Sequence, residues 1–164
     1  MVPLSRRRLL QAVGVTALAG CTSTDDDETI PGDRYPMVDD WLGGRTGAAT
    51  ATYYGDLRDR TGASRVTIEV GTSGNGGNFA YKPPGVVVDR GTTIVWDWVR
   101  DSGQYNVVAD SDTRVGTADY AFRSGPPESG DDVRYEHEMD RRGIALYYSE
   151  NHRFVGMKGA VVVP

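Results

Sequence analysis

Few side chains in this chain of 164 residues are equipped for bond-making chemistry. There is one cysteine, Cys21, and there are two histidines, His137 and His152. A single cysteine permits no disulfide within the chain and no zinc knuckle, and its place ahead of the fold leaves no thiol nucleophile inside it. No Ser-His-Asp order and no HExxH spacing occurs, so the chain is not expected to be an enzyme. His137 falls on the inward side of the stretch Val133–Met139, where a lone strand histidine serves as a structural hydrogen-bonding residue. Glu128, Asp131 and Asp132 lie beside Pro126-Pro127 and read as a solvated turn, with calcium as the alternative ligand of such carboxylates.

Cys21 carries a different chemistry. Ser5-Arg6-Arg7-Arg8-Leu9-Leu10 sets three adjacent cations ahead of an apolar stretch that ends near Ala19. A helix crossing a bilayer needs about 20 apolar residues, which this stretch lacks. Cations, a short apolar region and small residues describe a secretory signal. Paired arginines before Leu-Leu match a twin-arginine export signal. Leu18-Ala19-Gly20-Cys21 then matches a lipobox, where cleavage precedes a cysteine that receives a diacylglycerol thioether. The expectation is a signal peptide over 1–20 and an exported chain, held by lipid on Cys21 to the outer face of the cell membrane.

Charge narrows the partners. Residues 1–20 hold three arginines and no acid, so the 18 basic and 23 acidic residues become 15 and 23 without them, a net charge of −8. Lys82 and Lys158 are the only lysines, and most of the acids are aspartates. Low Lys with high Asp resembles the proteins of extreme halophiles, and an ordinary acidic secreted protein would have the same balance. A nucleic-acid partner requires a basic patch and is not expected. About 140 residues after the leader give room for one domain with a proper core.

The elements that must position these groups follow from periodicity. Residues 21–34, with Asp25-Asp26-Asp27-Glu28, read as an acidic flexible tether with little to bury. Tyr35–Leu42 predicts a short helical turn with Met37, Val38, Trp41 and Leu42 on its apolar side and Gly43-Gly44 as its stop. Residues 45–64 read as irregular structure or as an edge strand near Ala51–Tyr54, and 35–64 is expected to form an N-terminal extension packed on the domain. From residue 65 the pattern is plain. Val66, Ile68 and Val70 alternate with polar neighbours, the period of a half-buried strand. Gly71 to Asn78 holds four glycines and two asparagines and reads as a turn region. Strands are predicted at Phe79–Lys82, Val86–Asp89, Thr92–Val99 (with Ile94, Trp96 and Trp98 inward), Tyr105–Ala109, Val133–Met139, Ile144–Tyr148 and Gly159–Val163. Pro83-Pro84 interrupts the second and third strands. About eight short strands with turn signals and no long helical period indicate an all-β sandwich.

Five blocks, in order, carry a family resemblance. They are Gly74-Asn75-Gly76-Gly77-Asn78-Phe79-Ala80-Tyr81, Pro83-Pro84 with Val86-Val87-Val88, Gly91-Thr92-Thr93-Ile94-Val95-Trp96-Asp97-Trp98, Asn106-Val107-Val108-Ala109, and Gly156-Met157-Lys158-Gly159-Ala160-Val161-Val162-Val163. Over 65–164 the chain resembles the halocyanins, plastocyanin-like blue copper proteins, and Trp41-Leu42 resembles what precedes their domain. The resemblance implies a Greek-key β-sandwich of the cupredoxin type, copper as the family's cofactor, and single-electron transfer at a membrane surface.

A blue site holds copper with two imidazoles, one thiolate and a long axial thioether. Placed on the family's pattern, His152 and Met157 stand at retained ligand positions. Ser149 stands where the thiolate belongs, and Tyr105 stands where the second histidine belongs. A hydroxyl is a hard donor that gives cuprous copper little stabilisation, and without sulfur the blue charge-transfer band cannot arise. Tyr105 either fills the vacated cavity with its ring or offers a phenol oxygen. The resemblance therefore implies no copper, or only weak copper in a non-blue site on His152 and Met157. It also implies a monomer whose Arg153, Phe154 and Val155 surround the family's exposed histidine and would dock a redox or surface protein.

Overall fold

The computed structural model describes residues 28–99 and 103–164. The leader, Cys21 and Asp25-Asp26-Asp27 lie outside the described residues. β1 (Thr29–Pro31) leads through a 3₁₀ turn (Gly32–Arg34) into α1 (Pro36–Leu42) and then β2 (Asp56–Asp59). β3 (Arg65–Gly74), β4 (Gly77–Lys82), β5 (Gly85–Val87) and β6 (Thr93–Trp98) follow. Four two-residue strands come next: β7 (Val108–Ala109), β8 (Asp112–Thr113), β9 (Gly116–Thr117) and β10 (Phe122–Arg123). β11 (Arg134–Glu138), β12 (Gly143–Tyr148) and β13 (Lys158–Val163) complete the order, with a second 3₁₀ turn, Arg153–Val155, between the last two.

Two sheets face each other. One runs β1-β2-β5-β13-β12-β7-β10 and the other β11-β6-β3-β4, while β8 and β9 form a separate hairpin. β3 lies parallel to β6, and β5 lies parallel to both β2 and β13; the remaining pairs are antiparallel. This is the β-sandwich that the strand pattern indicates.

The alternation read from the sequence fills the space between the sheets. Val66, Ile68 and Val70 of β3 and Ile94, Trp96 and Trp98 of β6 meet Val86, Tyr147, Val161 and Val163 from the opposite sheet. β13 is buried at all six positions because a second apolar layer covers its other face. There Val87, Leu146, Ala160 and Val162 pack under Val38, Trp41 and Leu42 of α1 and Leu57 of β2. An unbroken apolar run such as Ala160–Val163 is what a strand covered on both faces requires.

The helix itself is locally specified. Pro36 occupies its first turn, where no backbone donor is needed. Val38, Trp41 and Leu42 recur at helical spacing on the buried side. Gly43 closes it, its N–H donating to Asp39 O at 2.7 Å.

Four sequence expectations need correction. The tether does not reach residue 34, because Thr29–Pro31 pairs with β2 and Ile30 packs on the α1 layer. Ala51–Tyr54 is a turn, and the strand in this segment is Asp56–Asp59, which pairs with β1 on one side and β5 on the other. Gly71–Asn78 is mostly strand: β3 continues to Gly74 through register shifts against β4, leaving Asn75-Gly76 as the turn. Of Tyr105–Ala109 only Val108–Ala109 is strand, while Tyr105 makes an isolated bridge with Glu128. These short pairings raise the strand number above the expected eight without changing the architecture.

Candidate functional site

Three of the four singled-out positions lie in the loop between β12 and β13. Its backbone bonds to itself. Ser149 N–H donates to Met157 O at 3.2 Å, His152 N–H to Ser149 O at 3.1 Å, and Met157 N–H to His152 O at 3.1 Å. Because β12 and β13 are paired neighbours, the loop leaves and returns at one end of the sheet and keeps Ser149, His152 and Met157 together. Gly156, at φ 99°, supplies the left-handed turn that returns the chain to Met157.

A neighbouring turn holds this loop in place. Asn75, at φ 57° between β3 and β4, donates through Nδ2 to Gly156 O at 3.1 Å and to Phe79 O at 2.6 Å. Its Oδ1 accepts from Ala51 N–H at 2.7 Å, and Thr50 Oγ1 donates to the same Gly156 O at 3.0 Å. One amide thus ties the hairpin, the N-terminal extension and the loop together. The sequence marks Asn75 as part of a turn region and of the first family-like block, with nothing to show that it binds the loop.

Ser149 is fully buried. Its Oγ accepts from Asn106 N–H at 3.3 Å. Asn106, also fully buried, donates through Nδ2 to Gly125 O at 3.0 Å and Glu150 Oε2 at 2.7 Å, and its Oδ1 accepts from Glu150 N–H at 2.9 Å. Arg123 closes on Glu150 with both terminal nitrogens, at 2.5 and 2.7 Å. The Arg123 hydrogen bond, helped by Asn106, holds the Glu150 carboxyl below the usual range. Asn106 belongs to one of the family-like blocks, so a signal for it existed, although nothing marked it as the partner of Ser149. Tyr81 OH donates to Asn106 O at 2.6 Å, and burial pushes its phenol well above the ordinary range against a smaller pull from Ser149.

Tyr105 is fully buried in the core between the sheets. Its ring lies over Gly71, where an added methyl carbon would stand 2.7 Å from Tyr105 Cε2, and against Gly103. The ring centroid is 5.4 Å from that of His152. Its hydroxyl has no hydrogen-bond partner among the described residues. The structure therefore brings Tyr105 and the loop residues to one end of the sandwich.

His152 stacks on Phe79, with centroids 4.4 Å apart at 16°. Its Nδ1 is buried and, among the described residues, without a partner. Burial lowers its pKa from the ordinary histidine value, so the neutral ring with a free lone pair is favoured. Met157 is fully buried in the same core.

The neighbouring surface is mixed. Phe154 is 76% exposed, and Arg153 lies with its guanidinium carbon 4.3 Å over the Tyr148 ring and 5.4 Å over that of Trp41. Lys158 is only 3% exposed. Its ammonium donates to Trp41 O and stands 4.9 Å over the Trp41 ring. Burial, then repulsion from Arg153, lowers its pKa to about 8.

The other candidates lie apart from this cluster. His137 packs on Phe122 with centroids 4.4 Å apart and rings tilted by 30°, meets the Tyr120 ring edge-on at 6.0 Å, and burial lowers its pKa. The side chains of Glu128, Asp131 and Asp132 are exposed. Among the described residues no three His, Cys, Asp or Glu side chains converge on a metal-sized site, and no helix is long and apolar enough to cross a membrane.

The family model for copper binding proteins of the plastocyanin/azurin family matches residues 68–164. The chain is 33% identical to a halocyanin from Natronomonas pharaonis over an alignment of 173 residues, covering 99% of each chain. It is 29% identical to a plastocyanin from Scenedesmus fuscus over 105 residues, covering 60% of this chain and 98% of that one. Among solved structures, the oxidised plastocyanin from Dryopteris crassirhizoma aligns with a TM-score of 0.48 at 21% identity, covering 60% of this chain and 100% of that one.

Proposed function

The chain is a halocyanin-like member of the plastocyanin/azurin family of copper binding proteins, and on that premise we propose that it keeps the family's scaffold at a membrane surface without its blue copper chemistry. Members of this family carry single electrons. The observation that carries the proposal is Ser149. At the thiolate position stands a buried hydroxyl, already accepting from Asn106 N–H. An oxygen donor of this kind is hard and stays protonated near neutral pH, so the residues present do not fit a blue site. Tyr105 supports the same reading, since a ring packed on Gly71 and Gly103 fills space at the second imidazole position.

What remains is a binding or docking domain and not an enzyme. Phe154, exposed beside the cation of Arg153 and the half-buried Val155, supports a surface for a redox or surface protein, including the partner of a true halocyanin. The leader and Cys21 support export and a lipid anchor. The chain would act there as a monomer.

A second reading has its own observation. The Nδ1 of His152 is unpartnered among the described residues, the thioether of Met157 is buried, and Met157 N–H donates to His152 O at 3.1 Å in the same loop, a nitrogen and a sulfur of the types that suit copper. It favours an atypical, non-blue site with His152, Met157 and the Tyr105 oxygen as the donors. Metal analysis and a visible spectrum of the purified protein with added cupric ion separate the readings. A colourless protein whose copper leaves to a mild chelator supports the scaffold. Tightly held but pale copper supports the second reading, and an intense blue band overturns both.

A further inference from the structure

An open cleft of about 590 Å³ lies between α1 and the β12–β13 loop. Trp41, Arg114, Glu150, Arg153, Phe154 and Lys158 line it, together with residues 46–48. Three of these are cations on an otherwise acidic chain, and no carboxylate among the described residues makes a salt bridge to any of them. Nearby acids are taken. Glu150 is clasped by Arg123 and Asn106, Asp40 pairs with Arg45 at 2.6 Å, Asp39 accepts from Tyr53 OH, and Asp110 accepts from Tyr148 OH.

Lys158 makes the arrangement unusual. Its side chain is almost wholly buried, yet the ammonium has one carbonyl partner, Trp41 O, and otherwise faces the Trp41 ring, over which the Arg153 guanidinium also lies. A buried cation left without a counter-charge is costly, and buried charges are normally paired. Arg153 is held over Tyr148 and Trp41 by ring contacts, and Arg114 reaches the cleft from the tip of the β8–β9 hairpin. Two guanidinium groups and an ammonium around one concave surface match the oxygens of a phosphate or carboxylate, which a guanidinium grips with two parallel bonds.

We infer that this cleft is an oxyanion-binding site, with Lys158 as its buried anchor and Arg153 and Arg114 as its outer clamps, for a small molecule bearing a phosphate or a carboxylate. The cleft is open and has room beside the three cations for a group larger than one inorganic ion. The site is independent of whether any metal is held by His152.

The test is calorimetric titration of the purified full chain at constant ionic strength with inorganic phosphate, citrate and, as the control, sodium chloride. Saturable binding of phosphate or citrate is expected, and whichever binds tighter identifies the oxyanion class. Arg114→Gln, at an exposed position that leaves the core intact, should weaken that binding by about threefold or more, and Lys158→Met by about tenfold or more. Arg65→Gln, on the other sheet, should leave it unchanged. The inference is overturned if neither anion saturates, if chloride gives the same response, or if Arg114→Gln and Lys158→Met bind as the wild type does.

Discussion

Asn106 and Ser149 are joined across two loops: the backbone N–H of Asn106 donates to Ser149 Oγ at 3.3 Å. The donor would be present for any atom at the end of that side chain. Asn106 is fixed in turn by Glu150, Gly125 and Tyr81. A cysteine placed at 149 would meet the same fixed donor.

On the proposed reading, Ser149→Cys combined with Tyr105→His supplies a thiolate and a second imidazole beside His152 and Met157. The double variant should turn blue on addition of cupric ion, as the trigonal set with an axial thioether does. Ser149→Cys alone, lacking one imidazole, should give a weaker or distorted band. A folded but colourless double variant would show that the loop does not hold ligand geometry.

Tyr105→Ala should destabilise the protein by about 3–5 kcal/mol, the usual cost of deleting a large buried aromatic. Tyr105→Phe should cost nothing by the same measure, because the hydroxyl it removes has no partner among the described residues. Urea midpoints of the two variants check both statements. An unchanged midpoint for Tyr105→Ala would remove the ring from the core.

Asn75→Ala loses three hydrogen bonds and leaves a residue at φ 57° that favours Gly or Asn. About 2–3 kcal/mol of stability should go with it. Asn75→Gly keeps the backbone freedom and loses only the bonds, so it should fall between the wild type and Asn75→Ala. Equal losses in the two variants would mean that conformation contributes nothing there.

Lys158 gives a pH dependence with a definite sign. Its folded pKa of about 8 lies below the ordinary 10.5 because burial, then Arg153, disfavours the ammonium. Between those values the unfolded chain binds more protons, so stability rises as pH increases from 8 towards 10.5. Below pH 8 the penalty of the buried charge is fully present. Lys158→Met should abolish that rise, measured as denaturation midpoints at several pH values. A rise of equal size in the variant would place its origin elsewhere.

Cys21→Ser should release the protein from membranes or leave its leader uncleaved. A thioether-linked pair of acyl chains supplies on one residue the two hydrophobic signals that stable anchoring takes. Membrane fractionation of wild type and variant measures this directly, and equal retention would exclude Cys21 as the anchor.

Legibility followed the range of the interactions. Val66, Ile68 and Val70 announced β3 because one side of that strand faces the core and the other faces water. β2 was hidden because Asp56-Leu57-Arg58-Asp59 has one apolar residue, and its pairing partner β5 lies nearly thirty positions away. The continuation of β3 past Val70 was hidden by glycines, which read as a turn while here accommodating register shifts and the approach of the Tyr105 ring. At the candidate site, residue types gave the place of Ser149, His152 and Met157 once the family pattern was recognised. Their hydrogen bonding was beyond reach, since Asn75 and Asn106 act through partners 81 and 43 positions away. The sequence shows Lys158 as one of two lysines and as part of the last family-like block, and nothing in a lone lysine signals that it is buried against Trp41 of α1.

The insertion of β2 between β1 and β5 also fixes where an excised fragment can begin. A fragment started at Arg65, as the family-like blocks suggest, would leave β5 with one side of its backbone unbonded and the outer faces of Val87 and Val162 without α1 above them. An open strand beside bare valines is a template for pairing with another copy. Such a fragment should self-associate more readily than one that begins at Thr29 and keeps β2 beside β5.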